Sequence, residues 1–174
     1  MVVLGLGSNL GDSRHIIRDA VKALEQVLAE LRAASLYETE PLYVTDQGRF
    51  INTALAGFYG GTPRELLSCI HGIERGFGRD RARERRWGER PLDIDILLFG
   101  ELRMNIPASV DGPCLEIPHP RLTERRFALQ PLLELFPGAL EPGTGISYKS
   151  LCDTLPEQGL NVIAPSARDF STST

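Results

Sequence analysis

The sequence predicts an α+β protein: a ferredoxin-like, mostly antiparallel sheet covered by helices in three α/β/α layers. Two observations predict it. Segments with strand and helix periodicity follow one another in the order β-α-β-β-α-β, and further helical segments come after the fourth strand. The 174 residues are 42% hydrophobic and 24% charged, the balance of a globular chain and not of a disordered one. A chain of this length buries roughly two-thirds of its unfolded surface, enough for a core without covalent or metal staples. No repeat or linker divides it, so residues 1–165 read as a single domain and residues 166–174, small and polar, as a disordered tail.

The elements follow in order. Val2 to Leu6 reads as a short buried strand, and Gly7-Ser8-Asn9-Leu10-Gly11-Asp12 as a turn ending on a helix-capping residue type. Ile17, Val21, Leu24, Leu28 and Leu31 recur at spacings of four and three, one apolar face of a helix. Ala34 to Thr39 resembles a second strand, Pro41 to Gly48 a loop, and Phe50 to Phe58 a third strand. Thr62-Pro63-Arg64-Glu65 combines a cap, a first-turn proline and a capping-box glutamate, and Leu66, Ile70, Ile73 and Phe77 give the buried stripe of that helix. Leu92 to Phe99, nearly all apolar, reads as a central strand. Pro118-His119-Pro120 introduces a helix carrying Phe127, Leu129, Leu132, Leu133 and Leu135, which stops at Pro137-Gly138. A short helix near Ser150 and a strand around Val162 complete the chain.

Several function classes are disfavoured. No apolar run reaches the ~18 residues of a membrane span, and Met1 leads into Val2-Val3-Leu4 without a basic leader, which predicts a cytoplasmic protein. Cys69, Cys114 and Cys152 form neither an even set nor a C-x-x-C pair and read as reduced core thiols. The formal net charge of -4 gives no global attraction for nucleic acid.

Positive charge is instead local. From Arg79 to Arg90, six arginines stand against Asp80, Glu84 and Glu89. Directly after them comes Leu92-Asp93-Ile94-Asp95-Ile96, in which residues two apart share a strand face, so both carboxylates point one way with roughly 6.5 to 7 Å between α-carbons. Two carboxylates on a largely buried strand require a cation or several hydrogen bonds, and hard oxygen ligands suit magnesium. A metal site beside an arginine loop is the combination that phosphoryl transfer uses. Taken singly, each feature has a plainer reading: a solvated acidic edge strand, and a solvated basic loop.

Gly5-Leu6-Gly7-Ser8-Asn9-Leu10-Gly11 lacks the third glycine of the dinucleotide fingerprint and reads as a tight turn, and no G-x-x-x-x-G-K-[ST] occurs anywhere. His119, between two prolines, is held on restricted backbone that can present its ring, or it is simply a loop histidine. His15 and His71 fall on helices and carry no functional expectation.

Five segments in order, LGLGSNLGD, LYETEPLYVTDQGRFIN, IERGFGRDR, RWGERPLDIDILLFG and IPHPRLTERRFAL, resemble the 6-hydroxymethyl-7,8-dihydropterin pyrophosphokinases over almost the whole chain. The resemblance implies transfer of diphosphate from ATP to the hydroxymethyl group of 6-hydroxymethyl-7,8-dihydropterin, with AMP leaving, a step of folate biosynthesis. It implies two Mg2+ ions on Asp93 and Asp95, and phosphate or loop roles for Arg79, Arg81 and Arg90. It also implies nucleotide contacts from Glu74, Trp87, His119 and Arg125, and a pterin pocket of Thr39, Leu42, Phe50, Asn52 and Phe127. A flat polar heterocycle wants aromatic faces and an in-plane amide, which Phe50, Phe127 and Asn52 supply. Adjacent or fused folate-pathway enzymes are the implied partners. The chain departs from the family pattern at Glu89 and Gly48, where proline is frequent, and both Arg85 and Arg86 adjoin Trp87.

No residue stands out as a general base; Asp95 or a water are the candidates. The segment from Arg79 to Arg90 is expected to be a lid, since clustered guanidinium groups have little to pack on until phosphate neutralises them. Two other readings remain: another two-metal ATP-dependent transferase on the same kind of sheet, and a nucleotide- or RNA-binding module using the arginines.

Overall fold

The computed structural model describes residues 1–41, 46–81, 88–110, 112–157 and 159–164. Leu42, Arg85, Arg86, Trp87 and the expected tail therefore lie outside the described residues.

Strand β1 (Val2–Ser8) is flanked by β4 (Phe50–Phe58) and β5 (Asp93–Phe99), both antiparallel to it. The sheet continues through β3 (Leu36–Thr39) to β8 (Asn161–Ala164), while β2 (Ala29–Ala33) joins the other half of β4, giving the order β5-β1-β4-β3-β8. Every pair in it is antiparallel among the described residues.

Alternation along the strands divides the core in two. Val2, Leu4 and Leu6 of β1, Ile51 and Leu55 of β4, and Ile94 and Ile96 of β5 face helices α1 (Ser13–Leu24) and α2 (Pro63–Gly76). On the opposite face Val3, Ala54, Ala56 and Leu97 meet α3 (Arg126–Leu135) and α4 (Tyr148–Thr154). The start signals work as expected: Asp12 accepts from the His15 N–H at 3.1 Å, and Thr62 and Glu65 close a reciprocal capping box.

Five expectations need correction. Helix α1 ends at Leu24, although Leu28 and Leu31 are buried as its apolar stripe required. The backbone of β2 is recruited by β4, with Ala29 opposite Phe58 and Arg32 opposite Ala56, and strand pairing overrides the helical spacing there. The strand expected over Ala34 to Thr39 is broken at Ser35, whose N–H donates to the Glu134 carboxylate at 3.0 Å instead of to a neighbouring strand. β5 stands at an end of the sheet order, not at its centre. The helix expected after Pro120 begins only at Arg126, beyond a 3-10 turn at Leu122–Glu124. Cys69 and Cys114 are exposed; Cys152 alone is buried.

A hairpin of β6 (Met104–Ile106) and β7 (Leu115–Ile117) has no counterpart in the sequence reading. No helix among the described residues is long and apolar enough to cross a membrane.

Candidate active site

Register builds the site. Asp93 of β5 lies opposite Gly7 of β1, and Gly7 lies opposite Asn52 of β4, so three residues from distant parts of the chain form one row across the sheet. Directly opposed residues share a face, here the one that α3 covers only in part. Gly7 is required: a Cβ there would stand 2.9 Å from the Asn52 side-chain oxygen. The turn expected from Gly7 therefore begins two residues later than anticipated, because Gly7 and Ser8 belong to β1; Gly5, Leu6 and Gly7 all line the cleft.

One half of the cleft is apolar with a single buried amide. Asn52 is 4% exposed and donates to the Thr39 hydroxyl at 2.7 Å, which fixes the plane of its amide. Phe50 and Phe127 add ring surface, and the Arg125 guanidinium lies 5.6 Å from the centre of the Phe127 ring. These are four of the five residues expected for the pterin; Leu42, the fifth, lies outside the described residues.

The other half is charged. Arg79 donates to one oxygen of Asp93, and Arg90 donates to the other at 2.9 Å. Burial pushes the Asp93 carboxyl up, but the guanidinium charges of Arg79 and Arg90 prevail and hold it below the usual carboxylate range. Among the described residues Asp95 has only looser partners, His119 and Arg125, each 3.6 Å from its Oδ2. Burial, followed by the charge of Asp93, lifts the Asp95 carboxyl to about 7. Burial and the nearby Arg125 and Arg121 charges lower His119 to about 4. Its Nδ1 accepts from the Arg121 N–H at 3.2 Å, so the neutral ring carries its proton on Nε2, towards Asp95. The buried Nε of Arg125 has no hydrogen-bond partner among the described residues.

Glu74 and Arg81 sit beside this cleft, with His71 and Arg79 in a neighbouring depression. Glu74 is 1% exposed, and its carboxylate accepts from the Ile94 N–H at 2.9 Å, from Arg79, and from Arg81 at 2.6 Å. Ile94 lies between the two aspartates, so Glu74 anchors the strand that presents them and the arginine that holds Asp93. Burial raises the Glu74 carboxyl, and the two arginines oppose that rise. Trp87 and the central part of the expected lid, residues 82–87, lie outside the described residues.

No three His, Cys, Asp or Glu side chains converge as a metal cage among the described residues. Two carboxylates on one strand face, one of them displaced far upward by burial and then by the charge of the other, still fit a hard divalent cation that takes its remaining ligands from phosphate and water.

Fold and site together define an α+β protein whose cleft joins a carboxylate–arginine half to an aromatic half bearing one fixed amide. The chain belongs to the 7,8-dihydro-6-hydroxymethylpterin-pyrophosphokinase family, whose model matches residues 3–137. It is 37% identical over 160 residues to the 2-amino-4-hydroxy-6-hydroxymethyldihydropteridine pyrophosphokinase of Aquifex aeolicus, covering 91% of this chain and 92% of that protein. A mitochondrial folate synthesis bifunctional protein of Arabidopsis thaliana is 41% identical over 151 residues, which are 86% of this chain but 26% of the relative. The chain thus spans about a quarter of the length of the first curated relatives it matches. The fold is shared with a crystal structure of Plasmodium falciparum HPPK-DHPS, at a TM-score of 0.68 over 87% of this chain and 43% of that one, with 17% sequence identity.

Proposed function

We propose that the protein transfers diphosphate from ATP to the hydroxymethyl group of 6-hydroxymethyl-7,8-dihydropterin, yielding AMP and the pterin diphosphate. The observation that carries this reading is the row Asp93, Gly7, Asn52, which sets a carboxylate and a heterocycle-reading amide on one sheet face with only a glycine between them. Family membership supports it independently. The order β5-β1-β4-β3, with α1 and α2 between strands, supports the ferredoxin-like reading of the fold.

Asp93 and Asp95 would hold magnesium, two ions in the full reading, and the metal would neutralise phosphate charge and lower the pKa of the attacking hydroxyl. Asn52 would read the donor and acceptor edge of the pterin, with Phe50 and Phe127 on its faces. Arg90 and Arg125, both lining the cleft, would bind phosphate oxygens, and the buried Nε of Arg125, without a hydrogen-bond partner among the described residues, supports that role. The hydroxymethyl oxygen bonds to the β-phosphorus while the bond from that phosphorus to the bridging oxygen breaks, and AMP departs with that oxygen. Asp95 or a bound water would take up the hydroxyl proton. The bifunctional relatives support adjacent or fused folate-pathway enzymes as partners.

Incubation with ATP, magnesium and the dihydropterin should give AMP and the pterin diphosphate in equal amounts. Asp93→Ala and Asp95→Ala should abolish turnover with the circular dichroism spectrum unchanged. Near-normal turnover by either variant at saturating magnesium would overturn the metal assignment, and no AMP from the unaltered protein would overturn the reaction.

A further inference from the structure

Asn9 lines neither half of the cleft, yet it is joined to both. It is 7% exposed and follows β1 directly. Its side-chain oxygen accepts from the Arg90 N–H at 2.9 Å, and its own N–H donates to the Arg90 carbonyl at 3.2 Å. Its Nδ2 donates to the Gln47 side-chain oxygen at 3.1 Å and to the Gly48 carbonyl at 3.4 Å. Arg90 N–H can only donate and Gly48 C=O can only accept, so the amide has one orientation; flipping it would set donor against donor and oxygen against oxygen. Both donor hydrogens and the acceptor are thereby in use.

What Asn9 connects matters more than the bonds themselves. Arg90 bonds Asp93 and lines the charged half of the cleft, whereas Gln47 lines the same cleft three residues before the Phe50 ring. Gly48 stands close enough that a Cβ there would approach the Asn9 carbonyl oxygen to 3.3 Å. The segment before β4 and the segment before β5 thus meet at one rigid amide, and an arrangement imposed on one is imposed on the other.

We infer that Asn9 is a positioning residue that couples the two halves of the site: a triphosphate engaging Arg90 and Asp93 sets the Gln47–Phe50 wall and thereby raises affinity for the heterocycle. The inference rests on the function proposed above. Coupling of this kind is reciprocal and is measured as a ratio of affinities.

Asn9→Asp separates the two links. The carboxylate keeps an acceptor for the Arg90 N–H but places an oxygen against Gly48 C=O and has no hydrogen to donate to Gln47. Asn9→Ala removes both links, and Gln47→Ala tests the junction from its other end without altering Asn9. Calorimetry of the full chain would measure 6-hydroxymethylpterin affinity with and without a non-hydrolysable ATP analogue and magnesium. The unaltered protein should bind the pterin at least about 5-fold more tightly when the analogue is present. In Asn9→Asp that ratio should fall close to one, while affinity for the analogue alone stays within about 2-fold of the unaltered protein. Asn9→Ala should lose the ratio and weaken the analogue as well. A residue with a purely structural role would lower the melting temperature and leave the ratio intact. A ratio retained in all three variants, or already one in the unaltered protein, overturns the inference. An unaltered protein that binds neither ligand overturns the function reading beneath it.

Discussion

Asn52 and Phe127 touch the apolar half of the cleft and not the carboxylate pair, so their loss should separate one ligand from the other. Asn52→Ala leaves polar edge atoms of the heterocycle without a partner, which costs about 1–3 kcal/mol, and Phe127→Ala removes a stacking face. Both variants should weaken the pterin roughly 10- to 100-fold while affinity for an ATP analogue alone is nearly unchanged; equal loss of both ligands by calorimetry would place the pocket elsewhere. Asp93 and Asp95 are legible in the sequence because period-two alternation with Leu and Ile announces their shared face. Gly7 is not, since a glycine announces nothing until the register sets its missing Cβ against Asn52. Asn9 is hidden for another reason: its partners are 38 and 81 residues away, and no local pattern reports such a junction.

Helix α2 was readable from its first four residues, because a cap, a proline and a returning glutamate are local chemistry. Thr62→Ala should cost about 1 kcal/mol, read as a lower urea midpoint with an unchanged slope. Thr62 lies at the opposite end of α2 from Glu74, so turnover at 25 °C should be unaffected; a large fall in turnover would mean that the cap reaches the site. Helix α1 shows the limit of this kind of reading. Leu24, Leu28 and Leu31 satisfy a helical stripe, yet the last two are buried through a turn and through β2, where β4 offers backbone partners that no periodicity could disclose. The three-residue strands β6 and β7 are too short to leave a pattern at all.

Over the whole molecule, His71 makes stability depend on acidity. Burial, then the charges of Arg81, Arg79 and Arg75, lowers it from 6.5 to about 4. Between those values the unfolded chain binds more protons than the folded one at this site, so its contribution to stability is complete above pH 6.5 and is lost as the pH falls to 4. His119 acts in the same direction, and Asp95, raised to about 7, acts in the opposite one. The difference between His71→Gln and the unaltered protein isolates the histidine: the variant should gain relative stability as the pH falls from 6.5 to 4, measured by urea unfolding. A difference that does not change with pH would show that His71 is not held neutral. Layering was readable at this scale because Leu92 to Phe99 and Phe50 to Phe58 carry apolar residues at both parities. The place of β5 at the sheet's end was not, because burial by a hairpin and burial by a neighbouring strand leave the same apolar sequence.

That end of the sheet has a bearing on self-association. An unpaired outer strand is a template on which another chain can add itself. Here the segment 118–121 lies against β5, and the His119 N–H bonds the Leu97 carbonyl at 3.0 Å. Pro118 and Pro120 have no N–H to offer, and the Arg121 N–H is spent on the His119 ring. The covering segment makes one rung and then has no main-chain N–H left for a second. The prolines that hold His119 at the cleft therefore also make a poor seed for stacking one molecule on the next.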